Sequence, residues 1–85
     1  MPYHVYVLLC QDGSFYTGYT KNLNKRLRLH MKGNGARYTR MHKPKKLVYT
    51  EEFVSRAEAM KRERKIKTLS HRQKKKLAKS RVKSK

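Results

Sequence analysis

The first twenty residues contain an unbroken apolar run over residues 5–10, a polar turn, and a second run that mixes apolar and polar residues, a pattern that is typical of a β-hairpin. Two runs rich in β-branched and aromatic residues, residues 3–10 and 14–20, flank an Asp-Gly step, which is a strong hairpin signal. A two-residue turn would place Tyr6 and Tyr16 on opposite faces. A three-residue loop with a left-handed glycine would place them on one face, because side chains alternate with period two. The sequence is compatible with both registers.

The periodicity then changes to that of a helix, which is followed by a basic segment. Asn22 is a good N-cap, and apolar residues follow it at helical spacing. We therefore expect a helix that ends at Gly33 or Asn34. Residues 33–45 contain glycines, a proline and several basic residues, which predict a long loop. Residues 47–54 predict a third strand.

Two capping boxes, in which a serine is followed three residues later by Glu or Gln, predict two more helices. They begin at Ser55 and Ser70, and the first of them is expected to run to about Thr68. The order β-β-α-β-α-α indicates an α+β fold, sandwich-like, with a three-stranded, mostly antiparallel sheet flanked by helices. We expect residues 1–78 to form this domain and residues 79–85 to form a basic disordered tail.

The charge of the chain points to a partner. The 85 residues include 24 Lys and Arg against 5 Asp and Glu, a formal net charge of +19. Such a surplus implies a polyanion, and nucleic acid comes first because phosphate contacts release counterions. A membrane is disfavoured, since no amphipathic helix has an aromatic-rich apolar face and no apolar run is long enough to span a bilayer. The lone Cys10 fits a reducing cytoplasm, and the scattered histidines lack zinc-site spacing.

Basic residues around the first helix and in the loop are candidate contacts for nucleic-acid phosphates. Tyr38, in the same loop, can either stack on a base or hold the loop against the domain. The candidate phosphate contacts are Lys21, Lys25, Arg37, Arg40 and Lys43.

Glu63 is an acidic residue without an obvious structural task, whereas a turn, a strand end and a capping box account for the other acids. Viewed along the axis of the helix that follows Ser55, Glu63 lies at an angle between those of Ala59 and Met60, on the apolar face. Burying a carboxylate alone is costly, so Glu63 needs either a basic partner or a metal. Geometry alone favours a salt bridge to an arginine.

Tyrosine, arginine and histidine side chains complete the set of candidates. Taken one at a time, Tyr6 and Tyr16 are typical core aromatics in strands. Arg26 and His30 are four residues apart on the first helix, so they point the same way. Taken singly, Arg26 is typical of a solvated or phosphate-contacting charge, and His30 of a surface or capping histidine.

The order of these residues along the chain resembles the GIY-YIG endonuclease superfamily. Val5-Tyr6 stands where that family has Ile-Tyr, and Tyr16-Thr17-Gly18 matches its Tyr-Ile-Gly. Residues 24–30 look like its arginine-containing first helix, and Glu63 matches its metal-binding glutamate. The run 33–39 is similar to the compact single-domain bacterial branch.

This resemblance, which covers roughly residues 3–78, implies a metal-dependent DNA endonuclease. Glu63 would bind Mg²⁺ or Mn²⁺. Tyr6 would be the general base, and surrounding lysines and arginines would favour its phenolate. Tyr16 would position the attacking water or share the role of base, and Arg26 would neutralise charge on the phosphoryl oxygens.

The remaining expectations concern His30, the partners and the rival function. His30 would orient the phosphate or pass a proton. The chain departs from the family at His4, which replaces a glycine, and in having no asparagine after Asn34. The expected partner is DNA, branched or nicked, in a repair-related role, with RNA and a larger protein complex left open. The alternative is a non-catalytic basic nucleic-acid-binding module, either a degenerate nuclease or an RNA-associated protein.

Overall fold

The computed structural model of the protein describes residues 2–33, 35 and 37–83, and their side chains as far as Lys79. Three strands form one antiparallel sheet in the order β2-β1-β3: β1 (Tyr3–Cys10), β2 (Phe15–Thr20) and β3 (Pro44–Phe53). The helices are α1 (Leu23–Met31), α2 (Arg37–Met41), α3 (Arg56–Lys67) and α4 (His71–Lys83). The α+β class predicted from the sequence is confirmed. Within the described part of the chain, no helix has the length and apolar character needed to cross a membrane.

The loop of the β1–β2 hairpin is the three-residue alternative. The Cys10 N–H donates to the Ser14 carbonyl at 2.8 Å, and Gly13 has a φ of 87°, a left-handed conformation that glycine adopts without strain. In the resulting register Tyr6 and Tyr16 lie on the same face of the sheet.

Alternation along β1 gives the sheet two packed faces. Val5 and Val7 face α3 and α4, where Ala59 and Ile66 complete the buried core. Tyr6 points the other way, toward α1 and α2, and is 1% exposed. The sheet is therefore covered on both sides, and the two signature tyrosines belong to the side of α1 and α2.

Helices α1 and α3 begin as the sequence predicts. The Asn22 side chain and the Ser55 hydroxyl each accept a hydrogen bond from the backbone N–H three residues later. Gly33, with a φ of 82°, follows α1 in the left-handed conformation that commonly ends helices. Asn34, the other predicted end, lies outside the described residues.

Helix α2 is a correction to the predicted loop over residues 33–45. Arg37–Met41 forms a short helix there, and β3 begins at Pro44 instead of Leu47. The physical reason is tertiary, since Thr39 on this helix is buried at 1% exposure. A five-residue helix gains too little from its own hydrogen bonds to be stable without such packing.

Helix α4 is longer than the sequence predicted. Its N-terminus is the predicted capping box, in which the Gln73 N–H donates to the Ser70 hydroxyl and the Ser70 N–H donates to the Gln73 side chain. The helix continues to Lys83, past Lys79, where the tail was expected to begin. The last two residues lie outside the described residues, and the division into a domain and a tail stays a prediction.

The edges of the sheet are β2 and β3, with β1 in the centre. Strand β3 opens with Pro44-Lys45-Lys46, and both lysines are exposed. Its pairing with β1 shifts register between Val7 and Leu8 and again between Leu9 and Cys10. Such irregularities bend a strand locally.

Candidate active site

The centre of the candidate site is a buried chain of three hydrogen-bonded side chains. The Tyr6 hydroxyl of β1 lies 2.8 Å from His30 Nε2 of α1, and His30 Nδ1 lies 2.7 Å from the Thr39 hydroxyl of α2. His30 is 0% exposed. Both of its ring nitrogens are thus paired inside the protein, so in this conformation His30 is not a surface histidine and does not reach a phosphate.

Two glycines make room for this chain. A Cβ atom on Gly18 of β2 would lie 2.6 Å from the Tyr6 hydroxyl oxygen, and a Cβ atom on Gly35 would overlap Nδ1 of His30. Real Cβ atoms essentially never come this close to other atoms. The glycine of the Tyr-Thr-Gly motif therefore admits the Tyr6 hydroxyl.

Burial sets the protonation states of the pair. It raises the pKa of Tyr6 to about 12, against the lowering effect of hydrogen bonding to Arg26. Burial and the nearby positive charge of Arg26 lower the pKa of His30 to about 4. Tyr6 thus keeps its proton at neutral pH and His30 is uncharged. Arg26 lowers the pKa of Tyr6, as expected of a nearby cation, but desolvation outweighs it, so the expected phenolate is not favoured.

Arg26 and Tyr16 border the pair. Hydrogen bonding to Tyr6 raises the pKa of Arg26, with further contributions from Tyr16. The Tyr16 ring centroid lies 6.2 Å from that of Tyr6 and 5.2 Å from that of His30. Tyr16 is half-buried, whereas Tyr6 is enclosed. The structure therefore brings four of the predicted residues together, with Tyr16 and Arg26 nearer to solvent.

Glu63, the predicted metal ligand, lies on α3. Its side chain is 16% exposed, and its Oε2 lies 3.5 Å from Lys67 Nζ, one turn further along the helix. The salt bridge found is therefore with a lysine, and not with an arginine as geometry alone suggested. The charge of Glu63 adds to the rise in the Tyr6 pKa that burial mainly causes, so this carboxylate is within electrostatic range of the phenol.

A metal at this site would have Glu63 as its carboxylate ligand. Two of the other acids are engaged elsewhere, since Asp12 pairs with His42 and Glu51 with Arg62. Among the described residues, no three His, Cys, Asp or Glu side chains cluster closely enough to hold an ion by themselves. Mg²⁺ keeps several waters and commonly uses one or two carboxylates together with substrate phosphates. The half-buried Glu63 fits such a site.

Tyr38 links α2 to the hairpin. Its ring stacks with Tyr16 at a centroid distance of 5.8 Å and with His42 at 4.2 Å. His42 Nδ1 in turn lies 2.6 Å from the Asp12 carboxylate. Of the two interpretations of Tyr38, the structure shows the one in which it holds this segment against the domain. Base stacking by Tyr38 stays a prediction.

The predicted phosphate contacts lie around the site and are exposed. Two of them flank or belong to α1, two belong to α2, and one precedes β3. They are Lys21, Lys25, Arg37, Arg40 and Lys43. Their exposure is what phosphate contacts require, and their contact with nucleic acid stays a prediction.

A groove of about 750 Å³ lies away from this site, between α4 and the sheet. Its walls include Phe15, Val48 and Ala78 together with Lys75. None of the residues predicted for catalysis or phosphate binding lines it. The chemistry therefore has to be sought at the tyrosines and not in this groove.

Thr39, Gly35 and His42 are site residues that sequence reasoning missed. Thr39 is nine positions from its partner His30, and a glycine-containing segment separates them, so no helical or strand period connects the two. Gly35 and Thr39 both lie in the segment 33–39, which is similar to the compact single-domain bacterial branch. That similarity was the one signal in the sequence that could have identified them.

The model of one protein family, the GIY-YIG catalytic domain, matches residues 2–77. The chain belongs to the GIY-YIG family. Membership implies nuclease function in general and nucleic acid as the general class of substrate. GIY-YIG nucleases are also generally dependent on divalent metals, in agreement with the donor set at Glu63.

Several GIY-YIG relatives are similar over nearly their whole length. A UPF0213 protein of Staphylococcus saprophyticus is 48% identical over 75 residues, which cover 88% of this chain and 92% of the relative. A UPF0213 protein of Staphylococcus haemolyticus is 48% identical over 79 residues, which cover 93% and 96%. The relatives are thus small proteins of similar length.

Two solution NMR structures have the same fold. The UPF0213 protein BH0048 of Bacillus halodurans superposes with a TM-score of 0.59 at 47% identity, covering 93% of this chain and 84% of that one. The protein EF2693 of E. faecalis superposes with a TM-score of 0.64 at 44% identity, covering 94% and 85%.

Proposed function

We propose that this GIY-YIG protein is a metal-dependent DNA endonuclease that hydrolyses phosphodiester bonds. The observation that carries the proposal is the enclosed Tyr6 hydroxyl, held 2.8 Å from the uncharged His30 beside the Arg26 guanidinium. A phenol, a neutral imidazole and an arginine in one site provide a proton path and a phosphate-binding cation. Buried groups with strongly perturbed pKa values are typical of catalytic sites, which favours an enzyme over a protein that only binds nucleic acid.

Glu63 would hold Mg²⁺ or Mn²⁺, with water and phosphate oxygens as the other ligands. When bound, the metal polarises the phosphate and stabilises the leaving oxygen. The charge of Glu63 contributes, as the smallest of several causes, to the raised pKa of Tyr6, which supports this assignment.

Arg26 and Tyr16 would face the substrate. The planar guanidinium of Arg26 donates to phosphoryl oxygens as negative charge grows on them. Tyr16, half-buried and beside Arg26, holds the attacking water. Both groups are positioned by regular elements, β2 and α1, which keeps their geometry fixed.

Tyr6 and His30 would move the proton. Because the pKa of Tyr6 is about 12, a free phenolate would be scarce at neutral pH. Tyr6 therefore accepts the proton of the attacking water as its own proton passes to Nε2 of His30. The role of His30 is that of a proton acceptor, and not that of a phosphate ligand.

The substrate would be branched or nicked DNA, in a repair-related role in the cytoplasm. Lysine and arginine contacts to phosphates respond to the backbone and its shape, and carry no sequence information directly. The exposed cations of α1 and α2 are contacts of that kind. The buried free Cys10 suits a reducing compartment.

The first test is Glu63→Gln, assayed on duplex, nicked and branched DNA with Mg²⁺ or Mn²⁺. We expect cleavage to fall by ~100-fold or more, as for other losses of transition-state stabilisation, while DNA affinity measured by fluorescence anisotropy is retained. Glu58→Gln, an exposed site on the same helix, is the matched control. Cleavage by Glu63→Gln at the wild-type rate would show that Glu63 is not the metal ligand.

Tyr6→Phe separates catalysis from packing, since it removes only the hydroxyl. We expect this variant to fold and bind DNA but to lose cleavage. Full activity of this variant would show that Tyr6 is a core aromatic residue whose hydroxyl has no catalytic role. Tight, salt-dependent DNA binding by a wild-type protein that cuts none of the substrates with either metal would favour the non-catalytic binding module.

A further inference from the structure

We propose that Thr39 is a positioning residue that holds His30 in the tautomer able to receive the Tyr6 proton. Its hydroxyl accepts a hydrogen bond from His30 Nδ1–H, which leaves Nε2 as the acceptor. This inference rests on the proposed function, in which His30 accepts a proton. It identifies Thr39 as the group that keeps Nε2 of His30 free to accept.

The proton positions follow from the groups that surround Tyr6. Among the described residues, the one hydrogen-bond partner that the structure gives the Tyr6 hydroxyl is His30, and Arg26, which affects the pKa of Tyr6, has only donors. The Tyr6 proton therefore needs an acceptor, and Nε2 of His30 lies 2.8 Å away. A neutral imidazole carries one donor and one acceptor, so its proton is on Nδ1, which faces the Thr39 hydroxyl at 2.7 Å.

The other tautomer would leave Tyr6 poorly paired. With the proton on Nε2, His30 would donate to the Tyr6 oxygen, and Arg26 could not accept in its place because it has only donors. The Tyr6 proton would then have no acceptor among the contacts described, in a site where Tyr6 is 1% exposed. An unpaired buried donor is unfavourable. Thr39 prevents this arrangement because it satisfies the proton on Nδ1.

The surroundings keep Thr39 in place against the ring. Gly35 lies so close to Nδ1 that a side chain there would overlap it, which leaves Thr39 as the described partner on that side. Helix α2, which carries Thr39, is fixed to the hairpin by the stacking of Tyr38 between Tyr16 and His42. Helix α2 thus packs over His30 and supplies its hydrogen-bond acceptor.

The arrangement is related to the role of aspartate in serine hydrolases, where the third residue holds the histidine in one tautomer. A threonine hydroxyl is uncharged, so it orients the ring without stabilising an imidazolium. We therefore expect removal of the hydroxyl to lower kcat about 10- to 100-fold, by analogy with the loss of activity when the hydrogen-bond partners of metal-binding histidines are removed.

The test compares Thr39→Val, which keeps the shape and removes the hydroxyl, with Thr39→Ser, which keeps the hydroxyl. The first readout needs no activity: ¹⁵N NMR of the imidazole nitrogens of His30. We expect the Nδ1–H tautomer in the wild type and in Thr39→Ser, and a shift toward the Nε2–H tautomer in Thr39→Val. Thr17→Val, which changes a buried threonine facing away from His30, is the matched control.

The second readout is kinetic. Thr39→Val should lower kcat on DNA while KM changes less than twofold, and Thr39→Ser should restore most of the rate. An Nε2–H tautomer in the wild type, or an unchanged tautomer in Thr39→Val, would overturn the assignment whether or not DNA is cut. Wild-type kcat in Thr39→Val despite a changed tautomer would also overturn it. The expected tautomers in a protein without nuclease activity would support the Thr39 contact and overturn the proposed function alone.

Discussion

The enclosed imidazole of His30 makes the fold sensitive to acid. Its pKa is lowered from 6.5 to about 4, so the unfolded chain binds this proton more readily than the folded protein. The corresponding stability is therefore complete above pH 6.5 and is lost as the pH falls toward 4. The residue is 0% exposed, and the loss amounts to ~3 kcal/mol at most.

Urea unfolding between pH 7 and pH 4 measures this loss, with His30→Gln as the comparison. We expect the wild type to lose stability across this range and the variant to lose much less. Asp12, whose pKa is also held low, by hydrogen bonds from Ser14 and His42, contributes at lower pH because its ordinary pKa is 3.8. A free energy of unfolding that stays constant from pH 6.5 to 4 would contradict the assigned state of His30.

Thr17 and Thr39 are both buried, but their hydroxyl groups differ in hydrogen bonding. The Thr17 hydroxyl has no hydrogen-bond partner among the described residues, whereas that of Thr39 meets His30. Thr17→Val should therefore stabilise the fold by ~1 kcal/mol, since a buried unpaired hydroxyl is costly. Thr39→Val should destabilise it. Thermal unfolding of both variants checks the contrast, and a loss of stability in Thr17→Val would mean that its hydroxyl is paired.

The positions of most candidate residues were visible in the sequence, but their protonation states were not. The spacing of Arg26 and His30 predicted a shared direction, and both lie against Tyr6 in the structure. The sign of the Tyr6 pKa shift depends on how completely the phenol leaves water, which is a property of the packed structure. A pattern of residue types contains no measure of desolvation, and so the phenolate was expected.

Among the secondary-structure elements, α2 is one that the spacing of apolar residues in the sequence cannot predict. A helix of five residues between a glycine-containing segment and Pro44 has too few turns to give an apolar stripe. Its stability comes from contacts made after the chain has folded back, through Thr39 and Tyr38. The caps of the longer helices are local signals, and these were read correctly.

Helix α2 also presents Arg37 and Arg40 to solvent while Thr39 faces His30. We expect the double variant Arg37→Gln/Arg40→Gln to weaken DNA binding and to lower the slope of log K against log [salt] by ~1 to 2, since each phosphate contact contributes ~0.9. Anisotropy titrations at several salt concentrations measure this. The control, Lys75→Gln/Lys76→Gln on α4, removes the same charge from the opposite face. Equal slopes in the two double variants would show that α2 makes no special contact.

For the whole molecule, the sequence predicted the strands, the main helices and the α+β class. These depend on local patterns of period two and period 3.6, and on capping residues. The hairpin register needed the structure, because loops of two and three residues both fit the Asp-Gly step. The position of β3 beside β1, far from it in sequence, is likewise a tertiary property.

The edge of the sheet formed by β3 bears on how copies of this protein meet one another. An exposed strand edge is the template on which amyloid-like growth and domain swapping begin. Here Pro44 lacks an N–H to offer a further strand, Lys45 and Lys46 would face the lysines of an incoming copy, and the register shifts bend the strand. Each chain also has a formal net charge of +19. Self-templated extension of the sheet is therefore opposed where β3 begins, because the lysines there and the net charge of each chain repel an incoming copy.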